Sequence, residues 1–212
     1  MGAVQPTQVL FPSAVLPMEL PGPDLPNANF QSQLNSRLLD ARTIVVNEPL
    51  TTATAGQISQ QLTVMAAESD EPIQIMMSNA PGGDADAGLS TYDLIRSLDA
   101  PVTMLGGGRI AGAGVLAFVG APADRRFALP HARFRFEEPA EALEHGSASD
   151  LEQKAQAAAD RRERVVALLA TATGQSESQV EADLSAQRTF DADEGADYGL
   201  VRRVVQSRSE IS

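Results

Sequence analysis

Two glycine clusters, Pro81-Gly82-Gly83 and Gly106-Gly107-Gly108, are places where the backbone itself could do chemistry. Each follows a short apolar run and precedes a helical pattern, so we expect each cluster to lie between a strand and a helix. Backbone N–H groups in such turns can converge on an anion or on a developing oxyanion. Neither cluster continues into a phosphate-loop or dinucleotide-binding pattern, so nucleotides are not the predicted ligands.

The adjacent carboxylates of Glu137 and Glu138 are a second candidate, because such a pair could divide general acid and general base roles. Two solvated charges in a loop are the simpler interpretation, since no coenzyme-binding pattern accompanies them. The chain has no cysteine and two histidines. A thiolate nucleophile, a disulfide framework and a cysteine-containing metal site are therefore excluded, and we expect neither a metal nor a cofactor.

The composition narrows the class of protein further. The 212 residues include 28 acidic and 16 basic side chains, a formal charge of −12, which would repel nucleic acid and anionic lipid. Apolar residues make up 43% of the chain, enough for a substantial core. No run of eighteen apolar residues occurs and no basic residue precedes Arg37, so we expect no membrane span, no targeting segment and a cytoplasmic location.

The pattern along the chain predicts an arm followed by one α/β domain. Six prolines within the first 26 residues predict an extended arm over residues 1–29, which leaves 30–212 for the domain. In the domain, apolar runs alternate with helical spacing, and Asp84 is a predicted helix N-cap. Strands are predicted at 43–46, 73–78, 102–105, 127–129 and 134–136, and helices at 54–69, 84–98 and 111–120.

A long helix is predicted near the C-terminal third of the chain. Ser149 and Glu152 have the spacing of a capping box, and Gly174 is the expected stop after Thr173. The first half of this segment is polar and the second half is apolar. We therefore expect one half to protrude and the other to pack on the domain, with a short helix following at 177–184.

Six segments together resemble landmarks of the ClpP family, the serine-protease subunit of ATP-dependent Clp proteases. They are LNSRLL at 34–39, NAPGG at 79–83 with AG at 87–88 and YD at 92–93, GRIAGAG at 108–114, RFALP at 126–130, GSASD at 146–150 and YGL at 198–200. They occur in the family's order over roughly residues 30–205. The resemblance implies an α/β fold of the ClpP/crotonase-like type, with repeated β-α units and a long protruding handle helix.

By this resemblance, all three members of the family's Ser-His-Asp triad are replaced. Gly112 stands where the nucleophilic serine is expected, Glu137 where the histidine is expected and Gln187 where the aspartate is expected. The oxyanion donors would be the backbone N–H groups of Gly83 and Ala113, which these replacements leave in place. A subunit of this kind is expected to lack peptidase activity.

The resemblance also implies partners. Family subunits form rings of seven that stack in pairs, so other ClpP-type subunits are the expected partners, in a homo- or hetero-oligomer, with a Clp AAA+ unfoldase as a further one. An Asp-Arg pair that helps to join the rings is replaced by Ser185 and Ala186. The unfoldase would dock in clefts between subunits, at positions corresponding to Leu38, Thr63, Ile75, Met77, Ser97, Phe127 and Leu129.

Three functions are therefore consistent with the sequence. The first is a non-catalytic ClpP-like subunit that modulates an active serine protease complex. The second is a crotonase-like enzyme in which Glu137 acts beside the two amides of Gly83 and Ala113. The third is a cage that binds peptides at the same place without cleaving them.

Overall fold

A computed structural model describes residues 27–137 and 148–211 of the chain. The helices are α1 (Asn27–Asp40), α2 (Thr52–Glu68), α3 (Ala85–Ser97), α4 (Ala113–Phe118), α5 (Ala148–Thr173), α6 (Glu177–Ser185) and α7 (Ala192–Tyr198). The strands are β1 (Thr43–Val46), β2 (Ile73–Ala80), β3 (Val102–Ala111), β4 (Arg126–Ala128), β5 (Arg133–Arg135), β6 (Thr189–Phe190) and β7 (Arg203–Val204).

The strands form one sheet in which β3 is the central element. The parallel strands have the order β1-β2-β3-β4-β7. The first part of β3 pairs with β4 from Met104 to Gly106, and its last part pairs with β5 from Arg109 to Ala111. The short β6 adds to β5 in the antiparallel sense. This arrangement brings the residues that follow β5 and those that precede β6 next to the end of β3.

Most of the predicted elements of the domain are present, and local chemistry explains their ends. The side chain of Asp84 accepts a hydrogen bond from the N–H of Asp86 and caps α3, as predicted. Thr51 caps α2 in the same way. Helix α1 was not predicted, and it begins three residues before the expected domain boundary at Phe30. Residues 1–26 of the predicted arm lie outside the described residues.

The prediction that Gly106-Gly107-Gly108 separates a strand from a helix is wrong. The three glycines lie inside β3, and α4 begins only at Ala113. The reason is packing across the sheet: a Cβ on Gly106 would come within 3.0 Å of side-chain atoms of Ile110 and Phe134. Glycine is used here so that a strand can pass closely beneath bulky side chains.

Helix α5 matches the predicted length but not the predicted start. Its 26 residues would span about 39 Å. It includes Ala148, so Ser149 lies within the helix rather than at its N-cap. At the other end Gly174 has a φ of 75°, the left-handed conformation that ends many helices. Most of the first half is exposed, whereas Val165, Val166 and Leu169 in the second half are buried.

The sheet separates two apolar clusters. The larger one fills the space between the sheet and the helices, and it includes Ile75 and Met77. The smaller one, here called the outer patch, consists of Leu105, Phe127 and Val205 with the partly buried Met76, Leu129 and Ile211. In residues 27–137 and 148–211 no helix is both long enough and apolar enough to cross a membrane.

Candidate functional site

Gly112 occupies a sharp turn between β3 and α4. Its backbone has φ 49° and ψ −117°, a conformation that glycine adopts far more easily than other residues. The turn is held by its N–H, which donates to the carbonyl of Arg135 at 3.1 Å. A Cβ added here would lie 3.5 Å from Cα of Gly82 and 3.6 Å from Oε2 of Glu137, so there is room for a small side chain. Glycine has no side chain to occupy this space.

Glu137 lies two residues beyond the end of β5, and its carboxylate lies over Gly112 and Gly82. Its Oε1 accepts a hydrogen bond from Nη2 of Arg109 at 2.6 Å. Nε of Arg135 lies 3.5 Å from the same oxygen, close enough for an ion pair. Arg109 comes from β3 and Arg135 from β5. The carboxylate of Glu137 is therefore held by two guanidinium groups on neighbouring strands.

Gln187 lies in the turn between α6 and β6, with a φ of 49°. Its Oε1 accepts a hydrogen bond from Nη2 of Arg135 at 2.8 Å. The segments on either side are tied together by the Phe136 N–H, which donates to the Arg188 carbonyl at 2.9 Å. Arg135 thus joins Glu137 to Gln187, and the three positions predicted for a triad meet in one polar cluster.

Sequence reasoning missed the two arginines in this cluster. Arg109 and Arg135 lie inside the segments GRIAGAG and RFRF, two residues or fewer from strand ends that flank the site. The signal that could have found them is the strand pairing: Ala111 pairs with Arg135 in register, two positions beyond Arg109 on the same strand. Alternate residues of a strand share a face, but the register itself could not be read from the sequence.

The two residues predicted to donate to an oxyanion line the same cavity as Gly112 and Glu137. The cavity has a volume of about 120 Å³. Gly83 cannot be replaced without a backbone shift, because a Cβ there would fall 2.4 Å from the carbonyl oxygen of Leu50. We call the backbone of Gly83 and Ala113 the amide notch. Gly82 also lines the cavity. The remaining residues, here called the apolar pocket, are Val115, Leu116, Phe136, Val165, Leu169 and Leu184.

The chemistry available at this site is limited by its side chains. No serine, threonine, cysteine, lysine or tyrosine is among the described residues that line the cavity. Glu137 is the one charged residue in that lining, and it is already ion-paired. Glu138 lies outside the described residues. The described residues also contain no cluster of three or more carboxylate or imidazole groups suited to a metal ion.

A second polar cluster, here called the Asp183 cluster, supports the turn that carries Gln187. Oδ2 of Asp183 accepts hydrogen bonds from Gln179 and from the Tyr198 hydroxyl, both at 2.9 Å, and Oδ1 accepts one from Arg188 at 3.2 Å. Burial alone would raise the pKa of Asp183, but these hydrogen bonds outweigh it and hold that pKa below its ordinary value. Burial, together with the hydrogen bond to Asp183, raises the pKa of Tyr198.

The residues predicted to line an unfoldase cleft do not share one surface. Ile75 and Met77 are each only 1% exposed in this chain and pack in the main core. Side chains alternate along a strand, and it is Met76 between them that reaches the outer patch. Phe127 and Leu129 belong to this patch as well. Leu38 is partly buried, and Thr63 and Ser97 are exposed.

Comparisons with known proteins agree with this architecture. Residues 27–208 match the family model described as Clp protease. The chain is 36% identical to ATP-dependent Clp protease proteolytic subunit 3 of Rhizobium johnstonii, over 84% of this chain and 91% of that protein. It is 33% identical to proteolytic subunit 2 of Gluconobacter oxydans, over 85% and 81% of the two chains.

Solved structures give the same result. ClpP1 of Listeria monocytogenes superposes with a TM-score of 0.72 at 29% identity, over 84% of this chain and 99% of that one. The fold and the site thus define an α/β protein of the protease-subunit class. The chain belongs to the Clp protease family, and the family resemblance and the fold class predicted from its sequence are both confirmed.

Proposed function

We propose that this chain is a non-catalytic subunit of a cytoplasmic Clp-type protease complex. It would assemble into rings with active subunits and modulate an ATP-dependent protease without cleaving peptides itself. The observation that carries the proposal is the turn at residue 112, where glycine offers no nucleophilic atom and an ion-paired carboxylate lies 3.6 Å from the position a side chain would take.

The size of the expected loss of peptidase activity supports this proposal. Removing the nucleophile of one serine protease lowers kcat about 10⁶-fold, and what remains comes from oxyanion stabilisation and binding. The amide notch could supply only that remainder. A neighbouring group does not replace the serine, because the described lining of the cavity contains no hydroxyl, thiol or amine side chain.

The crotonase-like enzyme is a weaker alternative on the same evidence. Both arginine contacts of Glu137, with Arg109 at 2.6 Å and with Arg135 at 3.5 Å, involve Oε1, so Oε2 would have to serve as the base. The described lining of the cavity offers no second acid or base to act with it. Turnover of an acyl-CoA that is lost in Glu137→Gln would favour this alternative.

The exposed surfaces support assembly with other subunits. The first half of α5 is largely exposed and carries Leu151, which is 47% exposed. In the ring-joining segment, Ser185 accepts a hydrogen bond from Arg162 of the same chain at 2.8 Å, and Ala186 follows it. With no Asp-Arg pair at these positions, we propose that an active subunit opposite supplies part of the ring contact. The outer patch would be the surface offered to an unfoldase.

The test uses the purified chain alone and mixed with an active ClpP subunit. Alone, we expect no cleavage of a fluorogenic peptide and no labelling by a fluorophosphonate. In the mixture, native mass spectrometry should detect oligomers that contain both chains. The active subunit, measured in parallel, controls for substrate and probe quality. Labelling of the isolated chain, or mixtures that never contain both subunits, would contradict the proposal.

A single substitution tests whether the missing nucleophile alone accounts for the expected lack of peptidase activity. Gly112→Ser restores a hydroxyl but leaves Glu137 and Gln187 at the base and orienting positions. We expect peptidase activity to stay at background, because a carboxylate bound by two arginines does not replace the imidazole. The triple variant that adds Glu137→His and Gln187→Asp is the matched comparison. Clear turnover by the single variant would show that the mechanism has been misread.

A further inference from the structure

We propose that a cavity between α3, the start of β4 and the end of α5 binds a phosphate group. It has a volume of about 190 Å³, and its described lining shares no residue with the cavity at Gly112. We call it the Arg126 cavity, and the lining residues that matter here are Tyr92, Arg96, Arg126, Thr171 and Ala172. This inference goes beyond the proposed function, because binding at this place requires neither a peptidase site nor a second subunit.

The first argument is the buried guanidinium of Arg126. The residue is only 1% exposed. Its Nη2 donates to the carbonyl of Ala172 at 2.7 Å, whereas its buried Nε and Nη1 have no hydrogen-bond partner among the described residues. Both nitrogens carry N–H donors. Buried donors in proteins are nearly always hydrogen-bonded, so donors left open beside a cavity indicate that a bound group satisfies them.

The second argument is charge. Within the described residues, Arg126 forms no ion pair. Burial lowers its pKa to about 10, and the neighbouring Tyr92 and Asp124 offset that decrease only in part. The guanidinium therefore stays positively charged at neutral pH. A buried charge without a counter-ion is costly, and an anion bound beside Arg126 would remove much of that cost.

The third argument is the rest of the lining. Arg96 comes from α3 and Thr171 from α5, and both residues are exposed. The guanidinium carbon of Arg96 lies 5.8 Å from the centroid of the Tyr92 ring, which also lines the cavity. No aspartate or glutamate is among the described lining residues. Two positive groups and one hydroxyl group, from three separate elements, thus surround one space that repels cations.

A phosphate group matches this arrangement better than the other small ligands. Donors on three elements suit a tetrahedral oxyanion, whereas a carboxylate presents two oxygens in one plane. Arginine binds phosphate through charge-assisted hydrogen bonds. Water molecules would also reach such a cavity, since one needs only about 10–15 Å³ of space, but water brings no charge to balance Arg126.

The experiment is a calorimetric titration of the full chain with inorganic phosphate, in a phosphate-free buffer at constant ionic strength. We expect saturable binding of one phosphate per chain. Acetate, as the carboxylate control, should bind at least about tenfold more weakly. Glycerol phosphate tests the source of the group: tighter binding than inorganic phosphate assigns the site to a phosphomonoester, and weaker binding assigns it to the free ion. Either order supports a phosphate site.

Variants then assign the binding to the two arginines. Arg126→Met removes the charge but keeps a long apolar side chain, and it should weaken phosphate binding by more than about tenfold. Arg96→Gln changes an exposed side chain, so we expect a loss of about threefold and an intact fold. It keeps the test decisive if Arg126→Met does not fold. Arg37→Gln is the matched control, because it removes an exposed arginine from α1, outside the described lining, and should leave binding unchanged.

Thermal unfolding separates a specific site from a general salt effect. Phosphate also stabilises proteins because it is excluded from their surface, and this effect would raise the Tm of the parent and of Arg126→Met equally. Binding at the Arg126 cavity should give the parent an additional, saturable increase. The inference is overturned by an absence of saturable binding, by equal affinity for acetate, or by an affinity that is the same in Arg96→Gln and Arg126→Met as in the parent.

Discussion

Two polar clusters lie on either side of the turn at Gln187, and they are built from similar residues with opposite results. In the Asp183 cluster one carboxylate accepts from three donors, and the carboxylate side chain is only 8% exposed. In the cluster around Glu137, one carboxylate is shared by two arginines, and Arg109 is half exposed. The first arrangement is closed, since its acceptor is buried and fully used. The second leaves donors facing solvent.

The difference teaches how to separate structure from function in an unfamiliar chain. A buried ion that is fully hydrogen-bonded holds its surroundings in place and has nothing left for a ligand. Arg188 also stacks on the Phe190 ring, with 4.5 Å between the guanidinium carbon and the ring centroid, so it too is fixed. An exposed cluster with unequal charges contributes little to stability. Its groups are held less firmly than those of a buried and fully hydrogen-bonded cluster.

The sharpest way to break this comparison is Asp183→Ala. Removing the carboxylate leaves Tyr198, Gln179 and Arg188 without their common acceptor, and breaking a buried pair costs about 3 kcal/mol. We expect the free energy of unfolding in urea to fall by this amount. Asp197→Ala, which removes a carboxylate at the surface of α7, is the control and should stay within about 0.5 kcal/mol of the parent. A similar loss in both variants would contradict the assigned role of Asp183.

The Asp183 cluster predicts that the stability of the fold depends on pH. The pKa of Asp183 is held below its ordinary value of about 3.9 in the folded chain. Its contribution is therefore fully present above that value and is lost as the pH falls through the lowered pKa. In Asp183→Asn the loss of stability from pH 5 to pH 2 should be smaller than in the parent. Equal slopes in urea titrations would exclude this role for the carboxylate.

Gly112→Ala is expected to have an intermediate effect. The added Cβ meets no atom closer than 3.5 Å, so the cost arises from the backbone conformation rather than from a clash. Holding a non-glycine residue at a positive φ in a sparsely populated region costs about 1–2 kcal/mol. Gly56→Ala is a matched control, because a Cβ there would meet nothing within 4 Å and Gly56 lies inside α2. That control should gain up to about 1 kcal/mol. A gain in both variants would show that the turn is not strained.

Much of the architecture could be predicted from the sequence because local signals and tertiary packing agree. Asp84 caps α3 as its residue type suggests, and Gly174 ends α5 in the expected left-handed conformation. The glycines at 106–108 led to the wrong prediction of a strand end, because glycine occurs both in turns and where strands approach other groups closely. Only the packing against Phe134 decides between the two. Helix α1 was missed, since no clear apolar spacing marks its polar sequence.

Only those features of the candidate site that depend on spacing along the sequence could be predicted. Gly112, Glu137 and Gln187 were located by spacing between landmarks, and the structure brings them within one cluster. The arginine contacts depend on the register of β3 against β5, which spacing within one strand does not determine. Which of Ile75, Met76 and Met77 faces the outer patch is equally hard to predict, because a shift of one residue moves a side chain to the other face of the sheet.

Glu137→Gln should have the smallest effect on stability and so sharpens the comparison from the other side. The substitution removes a partner of two arginines, of which Arg109 is half exposed, so the lost attraction is screened by solvent. We expect the free energy of unfolding in urea to change by less than about 0.5 kcal/mol. Asp183→Asn, measured in parallel, should lose several times more. A loss above about 1.5 kcal/mol in Glu137→Gln would mean that the carboxylate is a structural element like Asp183. Arg109 and Arg135 would then contribute to the fold in the same way as Arg188.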